Sequence, residues 1–525
     1  MENHTTTNKD ESNNKIENCY LNNNNYILLK QFEIKNLKNI KNLDMLNLVI
    51  SQTTKEFYTN YSSTRKDAIK DICMKGINII DDNLTNKSIY LLSKNENSFL
   101  TFAKAWLFDK LPEYSKTAED SANKSIKLNP FLPDSYNCIA HIMWKKGDLE
   151  QAFNYFKQAL SINKNDINTL RNLSMIIRAK NFNSINNKNN EFNQNKNDIN
   201  ANTNLNNKFN DNKSLNSNST NSNKKINKFK NVKEDINKPT DNIQDKLEKA
   251  EESLKYAKLA VDLDIKDSYS WYVLGNGYFH YAFLELKNQY DYLKKAVNSY
   301  NMSEKHQNNT NQNPDLYYNR ANVSLFLENY SKAVEDLKVS NDIDESLQSG
   351  QLAENVIDNI LILNKQIKGN CNIKSKKLNY ITQTIPVNLN SHTKYSLIEA
   401  KITNTNELNN KNMNSESKYL ISAKVIQIAD KCTNVPTSLI CVDHNSNFFM
   451  LSVYNISQDF KTQIIPMNSL VTILDPKIIK FSFNYNNKIY EHVKVEVTDT
   501  NKLLLNGKYC SCYSSIIESS STFFL

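Results

Sequence analysis

A spacing of 34 residues constrains this chain more than any other feature. Trp106 and Ala140 stand 34 apart, as do Ala118 and Ala152, Ser125 and Ala159, Tyr136 and Leu170, Ile139 and Leu173, and Met143 and Ile177. A fixed period of this length marks a unit that cannot bury its apolar face alone and must stack on its neighbours. Inside one unit, Tyr136, Ile139, Ala140 and Met143 share one face of a first helix, and Ala152, Phe156 and Ala159 share the facing stripe of a second. Gly147 and Asp148 turn the chain between them. Alanines at 140, 152 and 159 let the two backbones approach, and the large residues fill the space beside them.

Paired helices at this period are the signature of tetratricopeptide repeats. The preceding unit reads Phe102, Ala105, Trp106, then Ala118, Ala122, Ser125, and ends at Pro130. The following one begins Leu170, Leu173, Ser174, Ile177 and resumes, after an interruption, at Ser253, Ala257 and Ala260. Two more are Trp271, Leu274, Gly275, Tyr278 with Ala296 and Tyr300, and Tyr317, Ala321, Ser324 with Ala333, Leu337 and Ser340. The repeat solenoid is therefore expected over residues 99–362, preceded by a helical capping region at 26–98 that has helical spacing but no period. Its first helices should form a concave surface suited to an extended peptide.

The interruption is compositional. Residues 181–240 hold 23 Asn, ten Lys and five acids, so +5 of the chain's net charge of +9 falls there. Such sequence buries too little apolar area to offset chain entropy, and a disordered insertion is expected at 181–242. Similar stretches occur at 1–25, 304–313 and 403–417. The excess charge is thus no argument for nucleic acid by itself. Eight cysteines are scattered without a Cys-x-x-Cys, so reduced thiols are expected, in keeping with an intracellular protein of the cytoplasm or also of the nucleus. No apolar run approaches the roughly 18 residues of a membrane span, so no membrane association is expected.

From residue 418 the period changes from 3.6 to 2. "YLISAKVIQIA", "TSLICVDH", "NFFMLSVYNIS", "SLVTILDP", "IIKFSFNY", "IYEHVKVEVT" and "KLLLN" are short β-branched and aromatic runs divided by turn residues. An all-β barrel of the OB-fold type is expected at 418–508, with a basic and polar linker at 363–417 and a Ser-rich tail at 509–525. Phe448, Phe449, Tyr454, Phe481, Phe483 and Tyr485 could stack on bases. Yet Asp430, Asp443, Asp459, Asp475 and Glu496 are set among the lysines of the strands, so the barrel is expected to dock on the repeats or on a protein.

Catalytic signatures are missing. There is no G-x-x-x-x-G-K-[ST], no G-x-S-x-G and no H-E-x-x-H, and Gly275-Asn276-Gly277 meets His280 where a dinucleotide fingerprint needs its third glycine. No enzyme activity, cofactor, metal or small-molecule substrate is expected.

Several segments go beyond a generic repeat. "MWKKGDLEQAFNYFKQAL", "NLSMIIR", "AKLAVDLDIKDSYSWYVLGNGYF", "NPDLYYNRA", "VYNISQ" and "LLLNGK" together resemble the tetratricopeptide repeat protein five family, an all-α repeat solenoid followed by a small all-β OB-fold barrel. The resemblance implies an adaptor that docks on the large ribosomal subunit, recognises the N-terminal peptide of nascent tubulin, and brings an mRNA-decay adaptor protein that triggers decay of tubulin mRNA. A nuclear coactivator role is also attributed to the family, and a repeat scaffold or co-chaperone is the alternative. By the same resemblance the groove arginine falls on Arg178 and a groove aspartate on Asp315. A groove glutamate falls near Ser349, where this chain has no acid, with Glu345 and Glu354 nearest. Ribosome-facing lysines fall on Lys374 and Lys376 in "KSKKL". Arg178, one residue past the inward-facing Ile177, is expected to border the groove without being buried.

Overall fold

The computed structural model describes residues 40, 42–59, 65–85, 92–181, 240–307, 312–386, 400–402, 418–429 and 436–513. The asparagine-rich insertion and both tails lie largely outside them. Two compact units result: residues 1–281 with 301–312, and residues 282–300 with 313–525.

In the first unit, α1 (Leu43–Thr59) and α2 (Arg65–Thr85) precede the repeats. Leu46, Val49 and Ile50 of α1 and Ile69, Cys73, Ile77 and Ile80 of α2 share one core with Phe99, Phe102 and Leu107, so the capping region continues the repeat core. The repeats follow as α3 (Lys94–Asp109), α4 (Lys116–Leu128), α5 (Pro133–Lys146), α6 (Leu149–Ile162), α7 (167–181), α8 (Thr240–Leu263) and α9 (Ser268–Ala282). Local signals set their ends. Ser93 and Glu96 form a reciprocal capping box at α3, and Asp148 accepts from the Gln151 amide at α6. Ala122, Ala140, Ala152, Ala159, Ala257 and Ala260 are fully buried, the close approach that the 34-residue pattern requires. Serine stands in for alanine in places, and its hydroxyl finds another: Ser98 with Ser125 at 3.3 Å, Ser174 with Ser253 at 3.0 Å, and Ser268 with Ser303 at 3.1 Å.

In the second unit, α10 (Gln289–His306, of which the residues to Tyr300 belong here) is followed by α11 (Pro314–Phe326), α12 (Tyr330–Ile343), α13 (Ser349–Lys368) and α14 (Ser375–Gln383). Arg320 of α11 and Asp336 of α12 form a two-pronged ion pair, Nε to Oδ2 and Nη2 to Oδ1, both at 2.8 Å and both 1% exposed. The sheet comprises β1 (Ala400–Ile402), β2 (Lys418–Ile428), β3 (Thr437–Asp443), β4 (Phe448–Val453), β5 (Leu470–Leu474), β6 (Lys477–Tyr485), β7 (Lys488–Val497), β8 (Leu503–Leu505) and β9 (Lys508–Tyr509), with the short helix α15 (Gln458–Thr462) after β4. Strands neighbour in the order β6-β7-β4-β3-β2-β5-β8-β9, and β1 runs parallel to β2. The β6–β7 turn is Asn486-Asn487, both left-handed at φ 50° and 58°, as a two-residue hairpin loop demands.

Two expectations about this part change. The basic, polar composition of residues 363–385 predicts a linker, but they are helical and packed. Leu363 and Ile367 of α13 lie against Ile440 and Met450, and Leu378 and Ile381 of α14 against Ile426 and Val442. Helical spacing of these apolar residues, and not overall polarity, decided the outcome. Consequently every residue of β3 is buried, since Leu439 and Cys441 enter the barrel core while Ile440 and Val442 meet the helices. The barrel also begins earlier than residue 418, because β1 pairs with β2.

Candidate peptide and ribosome sites

Arg178 lies near the end of α7. It is 9% exposed, so the expectation that it escapes burial does not hold. Its Nη1 donates to Ser174 Oγ at 2.7 Å and to Ser253 Oγ at 3.2 Å. Small residues make the slot: a Cβ on Gly277 of α9 would lie 3.8 Å from Nη1 and only 3.0 Å from Leu254 Cδ2. Beside it His280 is held down to about 3, mainly by burial and then by the Arg178 guanidinium, so the imidazole is neutral at ordinary pH. Sequence reasoning missed Ser253, Gly277 and His280, which come from two other helices. The glycine inside a helix pattern was the available signal.

Asp315 sits in the first turn of α11 after Pro314. The capping role usual for such an acid is taken by Asn313, whose Oδ1 accepts from the Asp315 amide at 3.1 Å. The half-buried Asp315 carboxyl is pushed up to about 6, first by burial and then by Asp344. It is a desolvated acid whose charged neighbour is another acid, an environment that favours arrival of a cation. Ser349 is fully buried at the start of α13, and Glu345 and Glu354 are exposed. Ser349 itself therefore presents nothing to a ligand.

Lys374 and Lys376 are exposed at the start of α14, together with Lys377, and Lys365 and Lys368 are exposed in the last turn of α13. The aromatics of the strands offer no comparable surface. Phe449 fills the barrel core, Phe481 and Phe483 pack with Tyr330, Val334 and Ile357, and the Tyr454 hydroxyl donates to Glu328 Oε2 at 3.1 Å.

That last contact belongs to a cluster unseen in the sequence. Glu328, in the turn between α11 and α12, is buried at φ 56°. Its carboxylate accepts from Ser452 at 3.0 Å, Tyr330 at 3.1 Å, Tyr454, and Lys494 Nζ at 2.6 Å. Lys494 also reaches Glu496 at 2.8 Å. Burial alone would push the Lys494 ammonium down, but the two carboxylates outweigh it and its affinity for the proton rises. A signal existed: Glu328 occupies the repeat position of Gly147, since Ala140 and Ala321, Ala152 and Ala333, and Gly147 and Glu328 are equally spaced pairs. Both adopt left-handed backbone, at φ 88° and 56°.

Among the described residues no group of three or more His, Cys, Asp or Glu could hold a metal, and no helix is long and apolar enough to cross a membrane. Residues 399–516 match the family model of the tetratricopeptide repeat protein 5 OB fold domain, and residues 133–166 match a tetratricopeptide repeat. Tetratricopeptide repeat protein 5 of Bos taurus is 26% identical over 403 residues, covering 76% of this chain and 77% of that protein. Its Homo sapiens counterpart is 24% identical over the same shares. Repeats, a C-terminal OB-fold domain and similarity to tetratricopeptide repeat protein 5 over 76% of the chain together support a TPR-type adaptor built from a helical array and an OB fold.

Proposed function

We propose that this adaptor works on translating ribosomes, recognises the N-terminal residues of nascent tubulin, and promotes decay of the tubulin mRNA by bringing in an mRNA-decay adaptor protein. Cytoplasm is the compartment this implies. Asp315 carries the reading: its cap role is filled by Asn313, it is partly desolvated, and its charged neighbour Asp344 repels, so a guanidinium or ammonium is the partner its surroundings favour. Arg178, oriented by two serine hydroxyls, suits a carboxylate. A Met-Arg-Glu start supplies both charges. Lys374 and Lys376 supply contacts to ribosomal RNA phosphate.

Binding of a Met-Arg-Glu-headed peptide should be compared with that of an acidic C-terminal peptide. Each of Arg178→Ala and Asp315→Ala should weaken the former by about 10- to 100-fold, the equivalent of roughly 1.5–3 kcal/mol for a charged hydrogen bond. Preference for the acidic tail, or indifference to both substitutions, would sink the proposal. Charge reversal at Lys374 and Lys376 should abolish co-sedimentation with ribosomes at moderate salt.

A further inference from the structure

The face formed by the end of α13 and by α14 holds more than the two lysines the family resemblance implies. From Asn359 to Ile385 the chain has five lysines and no acid, and all five lysines are exposed. A tight reversal sets the two groups side by side. Asn370, Cys371 and Asn372 are all left-handed, at φ 50°, 50° and 56°, Gly369 donates to the Lys365 carbonyl at 2.9 Å, and Ile373 donates to that of Asn370 at 3.0 Å. The Cys371 side chain packs against the same clusters that seat α13 and α14 on the strands. Lys365 and Lys368 thus stand on one side of a short, anchored turn and Lys374, Lys376 and Lys377 on the other.

Tyr380 lies within this lysine face and is 70% exposed. One helical turn separates it from Lys376, and three residues separate it from Lys377, so the ring shares their face of α14, opposite the buried Leu378, Ile381 and Ile385. A single exposed aromatic is ordinary on a protein surface. An exposed ring framed by lysines, with no acid within the stretch, combines the two elements by which proteins hold unpaired nucleic acid: phosphate neutralisation and a stacking platform. Duplex RNA keeps its bases stacked inside and offers the ring nothing.

We infer that this face binds an unpaired stretch of RNA, with Lys365, Lys368, Lys374, Lys376 and Lys377 along the phosphates and Tyr380 stacked on a base. The inference rests on the ribosome reading only for the source of that RNA, a single-stranded loop of ribosomal RNA. The barrel strands take no part.

The full chain should be titrated with a fluorescent 12-nucleotide single-stranded RNA and with a 12-base-pair RNA duplex at several KCl concentrations. Wild type should prefer the single strand. Tyr380→Ala should weaken single-strand binding by roughly 10-fold at every salt concentration, leave the slope of log affinity against log salt unchanged, and leave duplex binding unchanged, while Tyr380→Phe behaves as wild type. Lys365→Ala and Lys377→Ala should instead each flatten that slope by about 0.7. Tyr380 is exposed and its removal should not alter the melting temperature. Wild-type affinity in Tyr380→Ala, an equal loss on duplex, or absence of RNA binding by a protein that still co-sediments with ribosomes would overturn the inference, the last in favour of a ribosomal protein partner. RNA binding with these properties but no ribosome co-sedimentation would uphold it and refute the ribosome reading.

Discussion

Replacing Lys494 by methionine tests the cluster around Glu328. The ammonium is 5% exposed, the Glu328 side chain fully buried, and their contact is 2.6 Å. Methionine keeps the length of the stem but strips the ammonium from that site, while the neutral hydroxyl donors of Ser452, Tyr454 and Tyr330 still face Glu328. A buried charge left in this way typically costs 3–5 kcal/mol, and the hydroxyls should hold the loss near the lower end, about 3 kcal/mol. Removing the other partner should cost less. In Glu328→Gly, Lys494 still has Glu496 at 2.8 Å, and glycine relieves the left-handed backbone at φ 56°, worth about 1 kcal/mol. The two effects bring the expected loss to about 1–2 kcal/mol. Because Trp106, Trp144 and Trp271 all fall in the first unit, fluorescence does not report this region. Hydrogen exchange of β4 and β7 does, since local opening tracks local stability. Lys494→Met should speed exchange there by roughly 100-fold, and combining it with Glu328→Gly should restore part of the protection. If Lys494→Met changes exchange by less than about fivefold, or if Glu328→Gly is the more damaging, the cluster is not held by this ion pair.

Further outcomes concern the two charged anchors and the first unit. His141 and His280 are held down to about 4 and 3, in both cases mainly by burial. Their folded values lie below the unfolded one, so the stability they carry is complete above about pH 6.5 and is lost as pH falls toward 4; tryptophan fluorescence during urea unfolding at pH 7.5 and 5 should show the decline, and His141→Gln should lessen it. Asp315, raised to about 6, behaves oppositely: its folded value exceeds the unfolded one, so stability falls as pH rises from about 4 to 6. Asp315→Asn should therefore raise the melting temperature at pH 7 and leave it unchanged at pH 3.5, and wild-type affinity for a Met-Arg-Glu peptide should increase from pH 5 to 7 while that of the variant does not. Gly277→Ala places a Cβ 3.0 Å from Leu254 Cδ2 but an ordinary 3.8 Å from Arg178 Nη1, so a loss of about 1 kcal/mol in urea unfolding is expected with peptide binding unchanged.

How much of this could be read from sequence depends on whether a residue's role is periodic. The alanines at 140, 152 and 159 declare both their period and their burial, because small residues at a helix crossing leave a repeating mark. The runs of alternating β-branched residues declare the strands for the same reason. Partnership leaves no such mark. Arg320 and Asp336 lie on successive helices, and Lys494 and Glu328 are 166 residues apart, so neither pair stands out from ordinary surface charge. At residues 363–385 the basic, polar composition masks the helical spacing of Leu378, Ile381 and Ile385. The period locates Arg178 on a first helix, but its burial depends on Ser253 and Gly277, supplied by helices beyond the asparagine-rich interruption.

Repeat arrays change length by gaining or losing whole units, and each junction must accept any neighbour of the same pattern. The last pair, α11 and α12, has given up that interchangeability. Where Gly147 marks a turn that any adjoining unit could follow, Glu328 is matched to Ser452, Tyr454 and Lys494 on particular strands, so no other unit can take its place. Variation in repeat number is thereby expected only in the chain before residue 314, and the long asparagine-rich segment between α7 and α8 lies on that permissive side.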